Sequence, residues 1–323
     1  MSNHYFCTLF DRNYLFKGIA MLESLGRHCP QVTVFVLCMD DVTYDILGKL
    51  AYPHVERIRL PEVEDEALLG VKPGRGVAEY CWTLTSCICW HVFQTRAEVD
   101  RLTYLDADLF FYSPVQPLFD EIGNASIAIV EHRFIPRLQH YAINGRFNVE
   151  WVTFRRDEQG IACLSRWREQ CIEWCFNRLE EGRMGDQKYL DEWPARYSSL
   201  CILQNPGAGV APWNFASYDI QSGPHGITVD GAPLVFYHFH QLQMHRFGRF
   251  DYMANMYKVE KPAPMPIYAA YEKALNSAVR TARKVAPGFN DGLQPVAPWI
   301  ARRFIQNYFP RWLKSRLKRF IPT

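Results

Sequence analysis

Two aspartates one residue apart, Asp106 and Asp108, follow a short apolar run at residues 102–105 in a chain of 323 residues. In extended backbone, residues i and i+2 point to the same side. The pair therefore projects two carboxylates together from the end of a strand, and open α/β sheets bind ligands at the carboxyl ends of their strands. With Leu105 before them and Leu109-Phe110-Phe111 after, the two carboxylates suit a hard divalent cation, Mg2+ or Mn2+, which keeps some waters and takes diphosphate oxygens as further ligands. A D-x-D pair also occurs in solvated loops; the apolar strand before this one favours the ligand reading. Such a site has vacant positions, and neutral imidazole fills one well. Tyr237-His238-Phe239-His240 offers two histidines at i and i+2 after a strand-like run.

Other segments carry polar groups in useful places. The turn Thr8-Leu9-Phe10-Asp11-Arg12-Asn13-Tyr14 follows the first strand pattern. A carboxylate or amide there reads a base edge and an aromatic ring stacks on its face. Alternatively, Asp11 and Asn13 cap the next helix. Gly185-Asp186-Gln187, followed by Lys188 and Tyr189, reads as a helix N-cap or as a polar turn of a site. Residues 205–214 hold Gly207, Gly209 and Trp213 and read as a structured loop near the site, where glycine permits close backbone approach. Trp213 stacks on a sugar or packs under that loop. Tyr80 and Trp82 open a helix pattern and either line a donor pocket or fill the core.

The elements that position these residues follow from periodicity. Residues 4–10, 32–39 and 55–60 read as strands, and 16–29 and 41–50 as helices between them. Residues 61–76, acidic and then Gly/Pro-rich, read as a loop. The pattern predicts a helix over 78–95, strands at 102–105, 125–130 and 151–155, a helix over 165–181, and a strand over 231–238. The last helix carries an aromatic stripe of Trp167, Cys171, Trp174, Cys175 and Leu179 toward the core. Strand and helix alternate, so the fold class is α/β, a mixed and mostly parallel Rossmann-like sheet flanked by helices. A domain over residues 1–250 is followed by a Pro-punctuated helical extension over 251–323.

Taken in order, these motifs resemble a GT-A glycosyltransferase of family 8, the family of glycogenin and the bacterial lipooligosaccharide α-galactosyltransferases. The resemblance spans residues 5–240: the Asp11, Asn13, Tyr14 turn, Tyr104-Leu105-Asp106-Ala107-Asp108, Phe147-Asn148, Gly185-Asp186-Gln187, and Tyr237-His238-Phe239. It implies that Thr8, Asp11, Asn13 and Tyr14 contact the nucleoside. Asp106, Asp108 and His238 would hold Mn2+ or Mg2+ against the diphosphate. Asn148, Asp186 and Gln187 would face the donor sugar and the acceptor. The implied reaction moves a sugar from a nucleotide-diphosphate sugar, by family habit a UDP-sugar, to a saccharide or lipid-linked acceptor with retention of configuration. Glu150 is the spare base for an inverting route. The chain departs from the family where Val149-Glu150 stands for x-Gly after Phe-Asn. It departs again after the late histidine: Phe239-His240-Gln241-Leu242-Gln243 lacks the glycine and the basic residue that grips the diphosphate, with His240 or Arg246 as substitutes.

Composition narrows the classes. The chain is 48% apolar and 22% charged, as ordinary globular proteins are. Its net charge of +2 hides an asymmetry. The last 32 residues carry seven Lys or Arg and no acid, leaving 29 basic against 34 acidic residues in the first 291. An acidic body speaks against nucleic-acid binding. Residues 300–321 pair basic charge with Ile300, Phe304, Tyr308, Leu313 and Leu317, the pattern of an amphipathic helix on an anionic leaflet or of a terminal helix packed on the body. The N-terminus shows no secretory pattern and ten cysteines form no C-x-x-C pair. The expectation is a cytoplasmic protein with reduced thiols, peripheral at the inner face of the membrane if the tail engages it. Two other classes remain open. A nucleotidyltransferase would need a Gly-rich basic loop after the first strand, and the turn here has Arg12 and no glycine before Gly18. A non-catalytic sugar-binding protein would not need both aspartates and His238.

Overall fold

The computed structural model describes residues 4–224, 226–252 and 265–295. Near-continuous apolar runs form strands covered on both faces. β1 (His4–Phe10), β2 (Val32–Cys38) and β3 (Val55–Arg59) pair in parallel, linked by α1 (Leu15–His28) and α2 (Asp41–Leu50). Asp40 caps α2, its carboxylate accepting from the Thr43 N–H at 2.9 Å. The expected loop over 61–76 instead holds α3 (Leu60–Val63) and α4 (Glu66–Val71). Asp65 accepts from the Leu68 N–H at 3.0 Å, and buried Leu68 pins the segment to the core. A cap and one apolar anchor outweigh the loop-like composition. α5 (Val77–Thr95) then leads to β4 (Arg101–Leu105), which pairs in parallel with β1.

Beyond β4 the sheet becomes mixed. β5 (Leu109–Phe111), α6 (Gln116–Ile122) and β6 (Ile127–Glu131) precede β7 (Phe147–Arg155). β7 lies antiparallel between β4 and β6. It is longer than the expected 151–155 and so carries Asn148 and Glu150 up beside the end of β4. α7 (Glu158–Glu173) starts and stops earlier than the expected 165–181, because Asp157 caps it through the Gly160 N–H at 2.9 Å. Trp167 and Cys171 face the core from α7; Trp174 and Cys175 are buried beyond its end, and Leu179 is exposed. After α8 (Trp193–Arg196), β8 (Leu200–Leu203) pairs in parallel with β6. Among the described residues the central sheet has seven strands in the order β3-β2-β1-β4-β7-β6-β8.

The expected strand over 231–238 is broken. A meander of β9 (Ile220–Gly223), β10 (Gly226–Val229) and β11 (Ala232–Pro233) ends at Pro233, which has no N–H to extend the ladder. β12 (Phe236–His238) pairs antiparallel with β5, setting His238 opposite Leu109. β13 (Gln243–His245), β14 (Arg249–Asp251), α9 (Met265–Val285) and β15 (Leu293–Gln294) follow. α9 puts Ile267, Tyr271 and Leu275 into the core that holds Phe6, Leu15 and Phe16. A second core, between the other face of the sheet and α5 and α7, holds Phe35, Leu84, Phe154 and Trp167. All ten cysteines are free thiols. The basic segment 300–321 lies outside the described residues.

Trp151 ties β7 to the strand that carries His238. It is fully buried, stacked on Phe236 with centroids 5.5 Å apart and edge-on to Phe6 at 5.8 Å. Trp151→Ala is expected to lower stability by about 3–5 kcal/mol, read from urea unfolding. A loss below about 1 kcal/mol would mean the site strand is held by other contacts.

Candidate active site

Three neighbouring elements build the site. β4 ends in the turn that bears Asp106 and Asp108, β12 brings His238, and β7 brings Glu150 from behind. His238 Nε2 lies 3.1 Å from Asp108 Oδ1 and 3.8 Å from Asp106 Oδ2. One ligand atom from each of Asp106, Asp108 and His238 falls within 4.8 Å of the others. Backbone bonds fix the cluster: the Asp106 N–H donates to the Glu150 carbonyl at 3.2 Å, and the Phe239 N–H to the Asp108 carbonyl at 3.0 Å. Tyr104 donates its hydroxyl to Asp106 Oδ1 at 3.2 Å.

Glu150 is wholly buried, and its Oε2 lies 2.5 Å from His238 Nδ1. Its carboxylate, named above as the spare base, is therefore engaged with the imidazole. A carboxylate on one ring nitrogen orients the other toward a ligand. Glu150 Oε1 has no hydrogen-bond partner and faces Gly209, where an added Cβ would sit 3.2 Å from it. Gly209 has φ +70°, so the loop suits glycine on both counts. That loop is the expected structured segment. Its Val210 carbonyl accepts the His238 N–H at 2.9 Å, and the Trp213 ring meets the His238 ring edge-on at 5.3 Å.

The charges respond to this crowding. Burial works against a charged His238, but Asp108 and Glu150 overcome it and hold its pKa well above the ordinary value. Burial likewise opposes charge on Asp108, yet His238 and Lys17 keep it ionised below the usual carboxylate range. Asp106, driven by burial against the pull of His238, rises to about 7. Asp186 also rises to about 7, through burial and the nearby Asp106. His240 falls to about 4, through burial and then the repulsion of His238. Two carboxylates and an imidazole with its second nitrogen occupied form a donor set that fits Mn2+ or Mg2+.

The remaining expected residues fall into two groups. Gathered around the cluster are Asn148, Asp186, Trp213 and His240. Asn148 accepts from the Glu150 N–H at 2.7 Å and donates to His132 Nε2 at 2.9 Å. His132 Nδ1 in turn donates to the Arg146 carbonyl at 3.2 Å. Gln187 donates to the Asn144 carbonyl at 3.0 Å. Trp82 backs the Gly185-Asp186 turn, 3.3 Å from where a Gly185 Cβ would stand. Others have structural occupations. Asp11 accepts from the Asn13 and Tyr14 N–H groups at 2.9 and 3.1 Å, and its other oxygen from the Asn13 amide at 2.7 Å. Asn13 and Tyr14 are exposed, whereas Thr8 is buried with its hydroxyl unpartnered. Tyr80 donates to Glu64 at 2.7 Å and packs in the second core. Arg246 is exposed on the β13–β14 turn.

Sequence reasoning missed Lys17 and His132. Lys17 lies on α1, its ammonium 3.7 Å from Asp108 Oδ2 and 4.3 Å from the centre of the Tyr14 ring. One signal was present: a lysine among the apolar residues of a helix directly after the Asp11–Tyr14 turn.

The sheet order and the cluster at the end of β4 define a GT-A fold. The galactosyltransferase LgtC, solved with donor and acceptor sugar analogs, is similar with a TM-score of 0.51 and 15% identity, covering 84% of this chain and 95% of LgtC. The apo glycosyltransferase GlyE of Streptococcus pneumoniae TIGR4 gives a TM-score of 0.50 and 13% identity, covering 88% of this chain and 64% of GlyE. No family model matches the chain. It is 32% identical over 310 residues to the uncharacterized protein YfnD of Bacillus subtilis (strain 168), covering 95% of this chain and 99% of YfnD. YfnF of the same organism is 29% identical over 293 residues, covering 88% and 96%. The chain belongs to the YfnD family.

The direction of the His238 shift gives a pH prediction. A histidine whose folded pKa exceeds its unfolded value stabilises the fold while protonated. That contribution is full below about pH 6.5 and is lost as pH rises through the folded value. In EDTA, wild-type melting temperature should therefore fall between about pH 6 and pH 10 more steeply than that of His238→Gln. Parallel profiles would show that His238 is not charged in the metal-free fold.

Proposed function

We propose that the protein is a glycosyltransferase of the family 8 type, moving a sugar from a nucleotide-diphosphate sugar to a saccharide or lipid-linked saccharide acceptor. The observation that carries this is the meeting of Asp106, Asp108 and His238 at one point beside the β1–α1 turn of a GT-A fold. A UDP-sugar is the donor that the family resemblance favours. Asp106, Asp108 and His238 Nε2 would hold a divalent cation, Mn2+ or Mg2+. When bound, it would supply Lewis-acid stabilisation of the negative charge that develops on the leaving diphosphate.

The chain's own groups divide the rest of the work. Glu150 holds the Nδ1 proton of His238 and so aims Nε2 at the aspartates. Tyr14, half exposed at the mouth of the turn, offers a ring for the nucleoside base. Asp186 binds sugar hydroxyls, and Gln187 acts through its position and dipole. Asn148, fixed by His132 and the Glu150 N–H, shapes the sugar side. Trp213 and His240 line the same side, their rings 5.6 Å apart. Glu150 is taken up by His238 and so is not the free base of an inverting route, which favours retention of configuration.

The working location is the cytoplasm. Residues 300–321 would hold the enzyme at an anionic inner leaflet, where lipid-linked saccharides are at hand. Among the described residues no helix is long and apolar enough to cross a membrane.

Asp108→Asn should keep the fold and lower UDP-sugar turnover by about 100-fold or more, measured as donor hydrolysis or transfer with Mn2+. Full activity in that variant, or in excess EDTA, would remove the metal assignment. NMR of a freshly formed linkage should show the donor's anomeric configuration; an inverted product would discard the retaining route.

A further inference from the structure

We infer that Lys17, from the first turn of α1, is the cation that grips the donor diphosphate. This rests on the donor reading above and supplies the basic group that the segment after His238 lacks. Residues 239–243 read Phe-His-Gln-Leu-Gln, and Arg246 is exposed on a turn between two strands. Lys17 is different. Its side chain is only 11% accessible, and its ammonium lies 3.7 Å from Asp108 Oδ2. Among the described residues it is the one Lys or Arg within ion-pair distance of Asp106 or Asp108.

A nearly buried ammonium needs an anion beside it. Asp108 serves that need, but His238 also draws on it from 3.1 Å. A divalent cation on Asp106, Asp108 and His238 would claim the same carboxylate. Lys17 would then face a second cation with its partner acid shared, and an incoming anion restores the balance. Position decides which anion. The Lys17 ammonium lies over the Tyr14 ring, 4.3 Å from its centre, and 3.7 Å from Asp108. A nucleoside on Tyr14 and a cation on the aspartates leave the diphosphate to pass between them, against the ammonium. Lysine, a compact point charge with three donors, suits phosphate oxygens that shift as the sugar departs.

The test uses the full-length protein with Lys17→Met and Lys17→Arg, titrated by calorimetry with Mn2+ alone, with uridine plus Mn2+, and with UDP plus Mn2+. For Lys17→Met, UDP affinity should fall on the order of 10- to 100-fold, the size of a charge-assisted contact. Uridine affinity should stay within about twofold, since the nucleoside makes no charged contact there. Mn2+ alone should bind as well as before or better, because a neighbouring positive charge has gone. Lys17→Arg should recover most of the UDP affinity. If Mn2+ and UDP weaken together, Lys17 only holds Asp108 in place and the inference falls. It falls equally if UDP binding is unchanged. Should Lys17→Met fail to fold, Lys17→Gln carries the same comparison. If the wild type binds none of UDP, GDP, ADP, CDP or TDP with Mn2+, the donor reading itself fails, an outcome distinct from the others.

Discussion

Three carboxylates surround one buried imidazole, two of them buried with it and Asp106 partly open to water. Asp108 and Glu150 lie against the two nitrogens of His238, and Asp106 stands 3.8 Å from Nε2. Lys17 supports Asp108 from the side. Charges taken from water persist only when paired and hydrogen-bonded. In the metal-free protein, the positive charge that lets these acids coexist comes from His238 and Lys17. The rest of the site is arranged around that balance: His132, buried, and His240, half-buried, are driven toward their neutral forms.

The fold meets this constraint through one change of direction. Four parallel strands bring the Asp11–Tyr14 turn, α1 and the Asp106–Asp108 turn to one edge. β7 then enters antiparallel beside β4, so its first residues, not its last, lie at that edge. Asn148 and Glu150 reach the site for this reason. β5 and β12 add a short ribbon that delivers His238, and Trp151 packs against Phe236 to hold the ribbon on the sheet. The loop carrying Gly209, Val210 and Trp213 closes over the imidazole. Glu150 Oε1, facing that loop, is left without a hydrogen-bond partner among the described residues.

Similarity to LgtC and GlyE extends over most of the chain at 13–15% identity, so it speaks for the arrangement of strands and not for the sugar. The chain departs from the family 8 pattern that its motifs resemble at two places, after Asn148 and after His238. Glu150 takes a position that the family gives to glycine, and it is occupied with His238. The segment after His238 is apolar and amide-rich instead of basic. Lys17 on α1, more than 200 residues earlier in sequence, reaches Asp108 at 3.7 Å.

The sequence by itself determined the alternation of strand and helix, the parallel first half of the sheet, and the pairing of Asp106 with Asp108. These depend on local periodicity: apolar runs, caps and the two-residue repeat of extended chain. It also pointed to His238, because a histidine after a late strand complements two carboxylates. Tertiary structure alone decided the rest. The order of caps in α4 and α7 overrode composition and stripe, since Asp65 and Asp157 fix helix starts through single N–H contacts. Tyr80 went to the core and Asp11 to its own turn, because nearby backbone and Glu64 satisfied them first. The roles of Glu150 and Lys17 depend on which side of a strand or helix meets His238 and Asp108, a matter of packing between distant segments. Burial of charge is a property of that packing, and no local pattern records it.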